Sequence, residues 1–446
     1  MEHHCGIFSI IDENIGDTII NGLRLIQHRG YESVGISFLE NDKLVTIKDI
    51  GTVDDVFQNI KLPKINKAVG HVRYSTVKKT TRENMIKESQ PFQNDTINFS
   101  LVHNGNIPTK DYIQKEFNIS AENTSDTMVI VQLVELIYNQ YNDWHKTLMY
   151  IMNKIAGSYC FAILTNDKIY VMRDRYGIRP LVIGRSKKGF CVTSETVALQ
   201  DYSYIRDINA GEIVSIDFYN FETIYQLNSS RLSFCSFEMI YFMHHDSIVD
   251  NKSCNEIRYS LGYNLGLTET NIIENSIIVC LPNSSIPNAR GFSDAIKKPY
   301  HPYIRKRIGV TRTFILPTEQ QRRDACDNKF IFDDVNLQNK DLYIIDDSIV
   351  RGTTMLSIIG KLRNIGVKSI HLRITSPIIS DPCYFGIDMS TKKELVSYNR
   401  SIDEIKNYLG ADSLQYLNID IMKKVLNIPV CTSCFTGEYD KQLLEW

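Results

Sequence analysis

The chain has 446 residues, with 50 Lys and Arg against 52 Asp and Glu and a formal net charge of -2. That length holds roughly two to three domains, and the balanced charge argues against nucleic acid as a main partner. No apolar run reaches the ~18 residues that span a bilayer, and the first residues lack the basic and apolar regions of a signal peptide, so a cytoplasmic protein without membrane partners is expected. The ten cysteines do not read as a disulfide framework in a chain this long.

A strand opens at residues 5–11. Further short apolar runs between Gly and Asn turns predict strands over 34–38, 44–48, 68–72, 99–103, 160–164, 169–173, 181–184 and 190–193. Helical spacing interrupts them near 19–27, 127–138 and 144–155. This is an α+β layout with largely antiparallel sheets. A polar stretch at 227–231 marks a boundary, giving domains over 5–230 and 231–446. Beyond it a helix (257–267), a strand (277–281), a helix (289–296), a strand (342–345), a helix (355–365) and a strand (369–374) follow in turn. That alternation implies a parallel sheet with crossover helices. Residues 395–426 read as mostly helical, followed by a cysteine-bearing tail.

Cys5 carries the first chemistry. A cysteine at a mature N-terminus joins a nucleophilic thiolate to an α-amine with reference pKa ~7.7–8.0, which serves as its own base. This requires removal of residues 1–4, an expected leader. Four segments follow: Gln27-His-Arg-Gly-Tyr-Glu-Ser-Val-Gly-Ile36, Gly70-His-Val-Arg-Tyr-Ser-Thr76, His103-Asn-Gly-Asn106 and Ser125-Asp-Thr127. Singly, Asn-Gly is a turn signal, Arg73 a surface ion pair and Ser-Asp-Thr a helix N-cap. In this order behind Cys5 they resemble the class II, N-terminal-nucleophile glutamine amidotransferases. The resemblance implies an αββα fold of sandwiched antiparallel sheets. It makes Cys5 the nucleophile, with the Asn104 side-chain amide and the Gly105 backbone N–H as oxyanion hole. It assigns Arg73 to the glutamine α-carboxylate and Asp126 to its α-ammonium, and puts Arg29 in the glutamine site. Arg173-Asp-Arg-Tyr-Gly-Ile-Arg-Pro-Leu181 and Ser194-Glu195 also resemble the family, as structural or interdomain contacts.

The second chemistry lies in Leu342-Tyr-Ile-Ile-Asp-Asp-Ser-Ile-Val-Arg-Gly-Thr-Thr354. A strand, a hydroxyl- and glycine-bearing loop and a helix N-terminus make a phosphate cradle. Two carboxylates facing a polyphosphate would repel it, so Asp346 and Asp347 suit ribose hydroxyls or the waters around a Mg²⁺. An acidic pair after a strand is otherwise an ordinary strand end. The whole run resembles the phosphoribosyl-diphosphate loop of type I phosphoribosyltransferases, an α/β fold with a parallel sheet. The resemblance implies contacts from Ser284, Asp346, Asp347, Ser348, Arg351, Gly352, Thr353 and Thr354. Arg312 and Lys329 would act from a loop that closes over the substrate. Departures from the family pattern fall at His244-His-Asp-Ser247, Asn283, Ser285, Ile308, Thr311, Asp327 and Asn328. They bear on affinity, closure and nucleotide regulation more than on the reaction.

The joined halves resemble the amidophosphoribosyltransferase family, in its cluster-bearing branch. The implied reaction turns glutamine, phosphoribosyl diphosphate and water into 5-phosphoribosylamine, glutamate and diphosphate, the first committed step of purine synthesis. Ammonia released at Cys5 would pass inside the protein to the transferase site, shielded from water. The resemblance also implies Mg²⁺ at Asp346 and Asp347, a homodimer or homotetramer, and feedback by purine nucleotides. Cys235, Cys383, Cys431 and Cys434 would hold a [4Fe–4S] cluster; by chemistry alone Zn²⁺ fits four cysteines as well. A second reading is a regulatory protein that binds phosphoribosyl diphosphate with transfer weakened. The intact Cys5, Arg73, Asn104, Asp126 and loop 346–354 argue against it.

Overall fold

The computed structural model describes residues 4–74, 81–119, 125–307, 330–387, 389 and 391–444. Thirteen strands precede residue 230: β1 (His4–Ile11), β2 (Ser33–Glu40), β3 (Lys43–Ile50), β4 (Lys67–Tyr74), β5 (Phe92–Asn94), β6 (Phe99–Asn106), β7 (Ser158–Leu164), β8 (Ile169–Arg173), β9 (Val182–Arg185), β10 (Phe190–Thr193), β11 (Ser203–Asp207), β12 (Glu212–Ile216) and β13 (Phe221–Gln226). They form two antiparallel sheets, in the orders β11-β9-β10-β1-β4-β2-β3 and β13-β12-β8-β7-β6-β5.

The alternation of side chains along a strand explains the layering. In β1, Phe8 and Ile10 pack against Ile19, Ile20 and Leu23 of the helix Gly16–Leu25. Ile7 and Ile11 face the other way, against Val102, Ala162 and Val171 of the second sheet. The outer face of that sheet is covered by the helices Asp126–Tyr141 and Trp144–Lys154. β1 is therefore buried on both faces, and its sequence from Cys5 on is apolar but for Ser9. The result is a helix–sheet–sheet–helix sandwich.

The second half opens with β14 (Phe234–Cys235) and a small hairpin, β15 (Ile248–Val249) and β16 (Lys252–Ser253). After β17 (Ser276–Cys280) comes a two-stranded ribbon, β18 (Ile304–Lys306) and β19 (Phe330–Phe332). β20 (Asp341–Asp346), β21 (Ser369–Ile374) and β22 (Ser413–Tyr416) complete a parallel sheet in the order β17-β20-β21-β22. Ile278, Cys280, Tyr343 and Ile345 face the helices Cys254–Leu267 and Ile286–Ile296. Val279, Leu342 and Ile344 face the helices Thr353–Ile365 and Ile402–Leu409. β23 (Val430–Cys431) returns to pair in parallel with β14, setting Cys431 beside Cys235.

One expected stretch is corrected. Residues 395–426 are not mostly helical. Gly410, at φ +77°, ends the first helix, and β22 then adds to the sheet edge before the helix Ile419–Leu426. Glycine adopts that left-handed conformation without the penalty a Cβ imposes. Among the described residues no helix is long and apolar enough to cross a membrane.

Candidate active sites and the seam between them

Cys5 sits near the start of β1, in register with Arg73 on β4. Both are buried, and Arg73 Nη1 lies 3.8 Å from the Glu32 carboxylate. Asn104 and Gly105 come from β6 in the opposite sheet. The Ser194 hydroxyl ties the two: it accepts the Ile7 N–H at 3.0 Å and Asn104 Nδ2 at 3.4 Å. Asn104 Oδ1 is buried and finds no hydrogen-bond partner among the described residues. An amide held this loosely is suited to a ligand. Gly105 has φ +151°, and a Cβ there would stand 2.0 Å from the Ser158 carbonyl oxygen, so this position admits no side chain.

Ser125 caps the helix that Asp126 begins, accepting the Met128 N–H at 3.3 Å. The bland reading of Ser-Asp-Thr is thus realised, yet the Asp126 carboxylate does something more. It accepts the N–H of Ile107 at 2.9 Å and of Thr127 at 2.7 Å, and His103 Nδ1 lies 3.8 Å away. Burial pushes the His103 pKa down, against the pull of Asp126, so its ring is neutral near pH 7.

Arg29 spends its guanidinium on protein groups. Its Nε donates to the carbonyl oxygen of Cys5 at 2.8 Å. Nη1 reaches Glu195 at 2.5 Å and Glu238 at 2.9 Å, and Nη2 reaches Glu238 at 2.7 Å. Glu195 also accepts His28 Nε2 at 2.8 Å, the His244 N–H at 2.8 Å and the Ser247 hydroxyl at 2.6 Å. Burial alone would raise both glutamates. His28 and Arg29 hold Glu195 well below the usual range, and Arg29 and Arg179 hold Glu238 below it. This neutralised knot joins the two halves. Glu238 lies in the segment Phe234–Phe242, which resembles the family's entry into the transferase domain, but the sequence assigns it no role. A glutamate inside the apolar run Phe234–Phe242 demands a buried partner, and that was the available signal.

In the second half, β20 ends at Asp346 and the loop runs to Gly352. The Ser285 hydroxyl donates to Asp346 Oδ1 at 2.8 Å and accepts the Asp347 N–H at 3.1 Å. Ser284 and Ser348 donate to Asp347 at 2.6 and 2.7 Å. Burial pushes the Asp347 carboxyl up, and these hydroxyls offset it only in part. Gly352, at φ +77°, is the N-cap of the helix Thr353–Ile365, and no side chain caps that end. Its first-turn N–H groups point toward the loop, a setting that favours an anion. Thr353 and Thr354 open this helix. Arg351 is paired with Glu394, at 2.6 and 2.8 Å. Arg312 and Lys329 lie outside the described residues, as do Ile308, Thr311, Asp327 and Asn328.

Cys235, Cys383, Cys431 and Cys434 line one cavity with Ile178, Phe385 and Tyr439. The thiols feel one another: Cys434 is raised by burial, then by Cys383, Cys431 and Cys235. Burial pushes Cys235 up to about 12 and raises Cys383. Arg179 lies beside Cys235 and Cys383 and opposes both rises. Its Nε is buried and has no hydrogen-bond partner among the described residues.

An N-terminal-nucleophile sandwich joined to a parallel sheet with an acidic loop and an uncapped helix end defines a glutamine-dependent transferase of two domains. The relatives agree. A glutamine amidotransferase domain family matches residues 77–201. An amidophosphoribosyltransferase of Methanothermobacter thermautotrophicus is 35% identical, covering 98% of this chain and 95% of its own. One from Bacillus subtilis is 33% identical, covering 100% and 96%. The solved glutamine phosphoribosylpyrophosphate amidotransferase of B. subtilis, complexed with ADP and GMP, superposes with a TM-score of 0.86 at 32% identity, covering 98% of this chain and 97% of that one. This chain belongs to the amidophosphoribosyltransferase family.

Proposed function

We propose that the chain makes 5-phosphoribosylamine, glutamate and diphosphate from glutamine, phosphoribosyl diphosphate and water. The observation that carries this reading is that Cys5, Arg73 and the Asn104–Gly105 pair stand together in one half while the acidic loop and uncapped helix stand in the other. After removal of residues 1–4, the Cys5 α-amine takes the thiol proton and the sulfur attacks the glutamine amide carbon. Asn104 and Gly105 stabilise the oxyanion. The C–N bond breaks, ammonia leaves, and water hydrolyses the thioester to glutamate. Arg73 and Asp126 hold the two ends of the amino acid. Ammonia then attacks the ribose C1, and the C1–O bond breaks as diphosphate departs.

Asp346 and Asp347 offer the oxygen donors that Mg²⁺ prefers, and their place at the strand end fits the ribose hydroxyls. Mg²⁺ would neutralise the diphosphate. Ser284, Ser348, Thr353 and Thr354, with the N–H groups after Gly352, would hold phosphate oxygens. Arg351 would have to leave Glu394 to join them. Arg312 and Lys329 would close over the substrate. Purine nucleotides are the inhibitors to test, since the B. subtilis relative was solved with ADP and GMP. A cytoplasmic homodimer or homotetramer is part of the same proposal.

The four cysteines fit a [4Fe–4S] cluster. The cationic Arg179 beside Cys235 and Cys383 suits an anionic cluster, and tetrahedral zinc on the four thiolates is the alternative. The cluster's role would be structural. Cys431→Ser should leave an unstable, oxygen-sensitive protein; a colourless variant of normal thermal stability would remove the cluster from the proposal.

The deciding experiment follows diphosphate and glutamate release by anaerobically purified protein given both substrates, alongside its N-terminal sequence. Stoichiometric release from a chain beginning at Cys5 is expected. Binding of phosphoribosyl diphosphate with no release would favour the regulatory reading.

A further inference from the structure

Arg29, Arg179, Glu195 and Glu238 are shut inside the seam, each 3% exposed or less. Glu238 stands between the two arginines. Its Oε2 accepts Arg29 Nη1 at 2.9 Å, and its Oε1 accepts Arg29 Nη2 at 2.7 Å and Arg179 Nη1 at 2.8 Å. Beyond Arg29 lies the Cys5 carbonyl, 2.8 Å from Nε. Beyond Arg179 lies the Phe385 carbonyl, 2.9 Å from Nη2. Phe385 in turn donates its N–H to the Cys383 sulfur at 3.3 Å. The same loop abuts the expected oxyanion hole. The Tyr384 carbonyl accepts Asn106 Nδ2 at 2.7 Å, and a Cβ on Gly386 would stand 3.3 Å from the Gly105 carbonyl carbon.

We propose that Glu238, from the transferase half, is a positioning residue for the glutamine reaction. It holds Arg29 on the Cys5 carbonyl and ties that grip, through Arg179, to the loop that carries Cys383. The proposal rests on the reading of Cys5 as nucleophile. The carbonyl and the sulfur belong to one residue, so a peptide that tilts carries the sulfur away from Asn104 and Gly105. A misplacement of about 1 Å can cost on the order of 10²-fold in rate. Removing the Glu238 charge leaves Arg29 with Glu195 alone and takes from Arg179 the carboxylate it is paired with, and a buried charge stripped of its partner pulls its neighbours out of place. The cysteine-lined loop and the nucleophile therefore share one rigid support, and disorder in that loop should reach Cys5.

The test uses the full-length, anaerobically purified protein and its Glu238→Gln variant. Three rates are read: alkylation of Cys5 by a diazoketone analogue of glutamine, glutamine-dependent transfer, and ammonia-dependent transfer. The expected result is a loss of ~10-fold or more in alkylation and in glutamine-dependent kcat, with KM for glutamine and the ammonia-dependent rate changed by less than about threefold. Glu238→Asp should recover part of the loss. Arg179→Lys, which keeps the buried charge but cannot reach both Glu238 and Phe385, should show the same split in smaller degree if Glu238→Gln does not fold. Unchanged alkylation, or glutamine- and ammonia-dependent rates falling together, would overturn the proposal. A wild-type chain that is not alkylated at Cys5 would instead overturn the reading of the nucleophile on which it stands.

Discussion

Two pairs of acids, all buried but the half-buried Asp346, divide the molecule between them, and they are held in opposite ways. Glu195 and Glu238 at the seam are met by guanidiniums and kept ionised. Asp347, beside Asp346 at the end of β20, is met by the hydroxyls of Ser284, Ser285 and Ser348, and burial pushes its carboxyl up. The seam supplies its own countercharge and is finished as it stands. At the strand end, hydroxyls and the more distant Arg258 offset the burial of Asp347 only in part, which leaves room for the cation or ribose hydroxyls proposed above. Perturbed acids accompany both structure and function; the source of the neutralising partner tells them apart.

The contrast can be broken most severely at the nucleophile. Cys5→Ala should lower glutamine-dependent transfer by ~10³ or more while ammonia-dependent transfer persists; equal losses of both would show that the two halves do not work as separate sites. Next is Asp347→Asn, expected to cut transfer by ~10² with either nitrogen donor through lost positioning. Its melting temperature at pH 7 without Mg²⁺ should not fall. A carboxyl raised on folding costs stability as pH rises past its unfolded value of about 3.9, so removing it relieves that cost. The seam has the reverse sign. Glutamates lowered on folding contribute stability above about pH 4.3 that is lost as pH falls. Wild type and Glu238→Gln should therefore differ most in melting temperature near pH 7 and converge toward pH 3. Smallest is Ser285→Ala. Loss of the hydroxyl that bridges the two aspartates should raise KM for phosphoribosyl diphosphate ~3- to 10-fold, the scale of one buried hydrogen bond. A titration of initial rates decides it.

Much of this was legible in the chain. β1, β7 and β20 are largely apolar runs buried on both faces, and such runs announce themselves. β13 did not: none of its residues is buried, half of them are polar, and only its partner β12 defines it. β22 hid between two amphipathic helices because four half-buried residues carry too little pattern. The site residues were readable where a short motif fixes both residue and backbone, as at Asn104–Gly105 and 346–354. The partners of Arg29 were not legible, for a physical reason. A motif records that an arginine is required, but whether its fork meets a ligand or two buried glutamates depends on residues more than 160 positions away. Glu238 was missed for the same cause.

The parallel pairing of β14 with β23 has a consequence for how the protein is made. Cys235 emerges early in synthesis of the second half, Cys383 later, and Cys431 and Cys434 only after every strand of the parallel sheet has been translated. Chains fold from the N-terminus as they are produced, so the sandwich and most of the sheet can form while the four-cysteine pocket is still open on one side. The pocket closes last, when the tail folds back. Any metal centre it took would thus be loaded onto an almost finished protein.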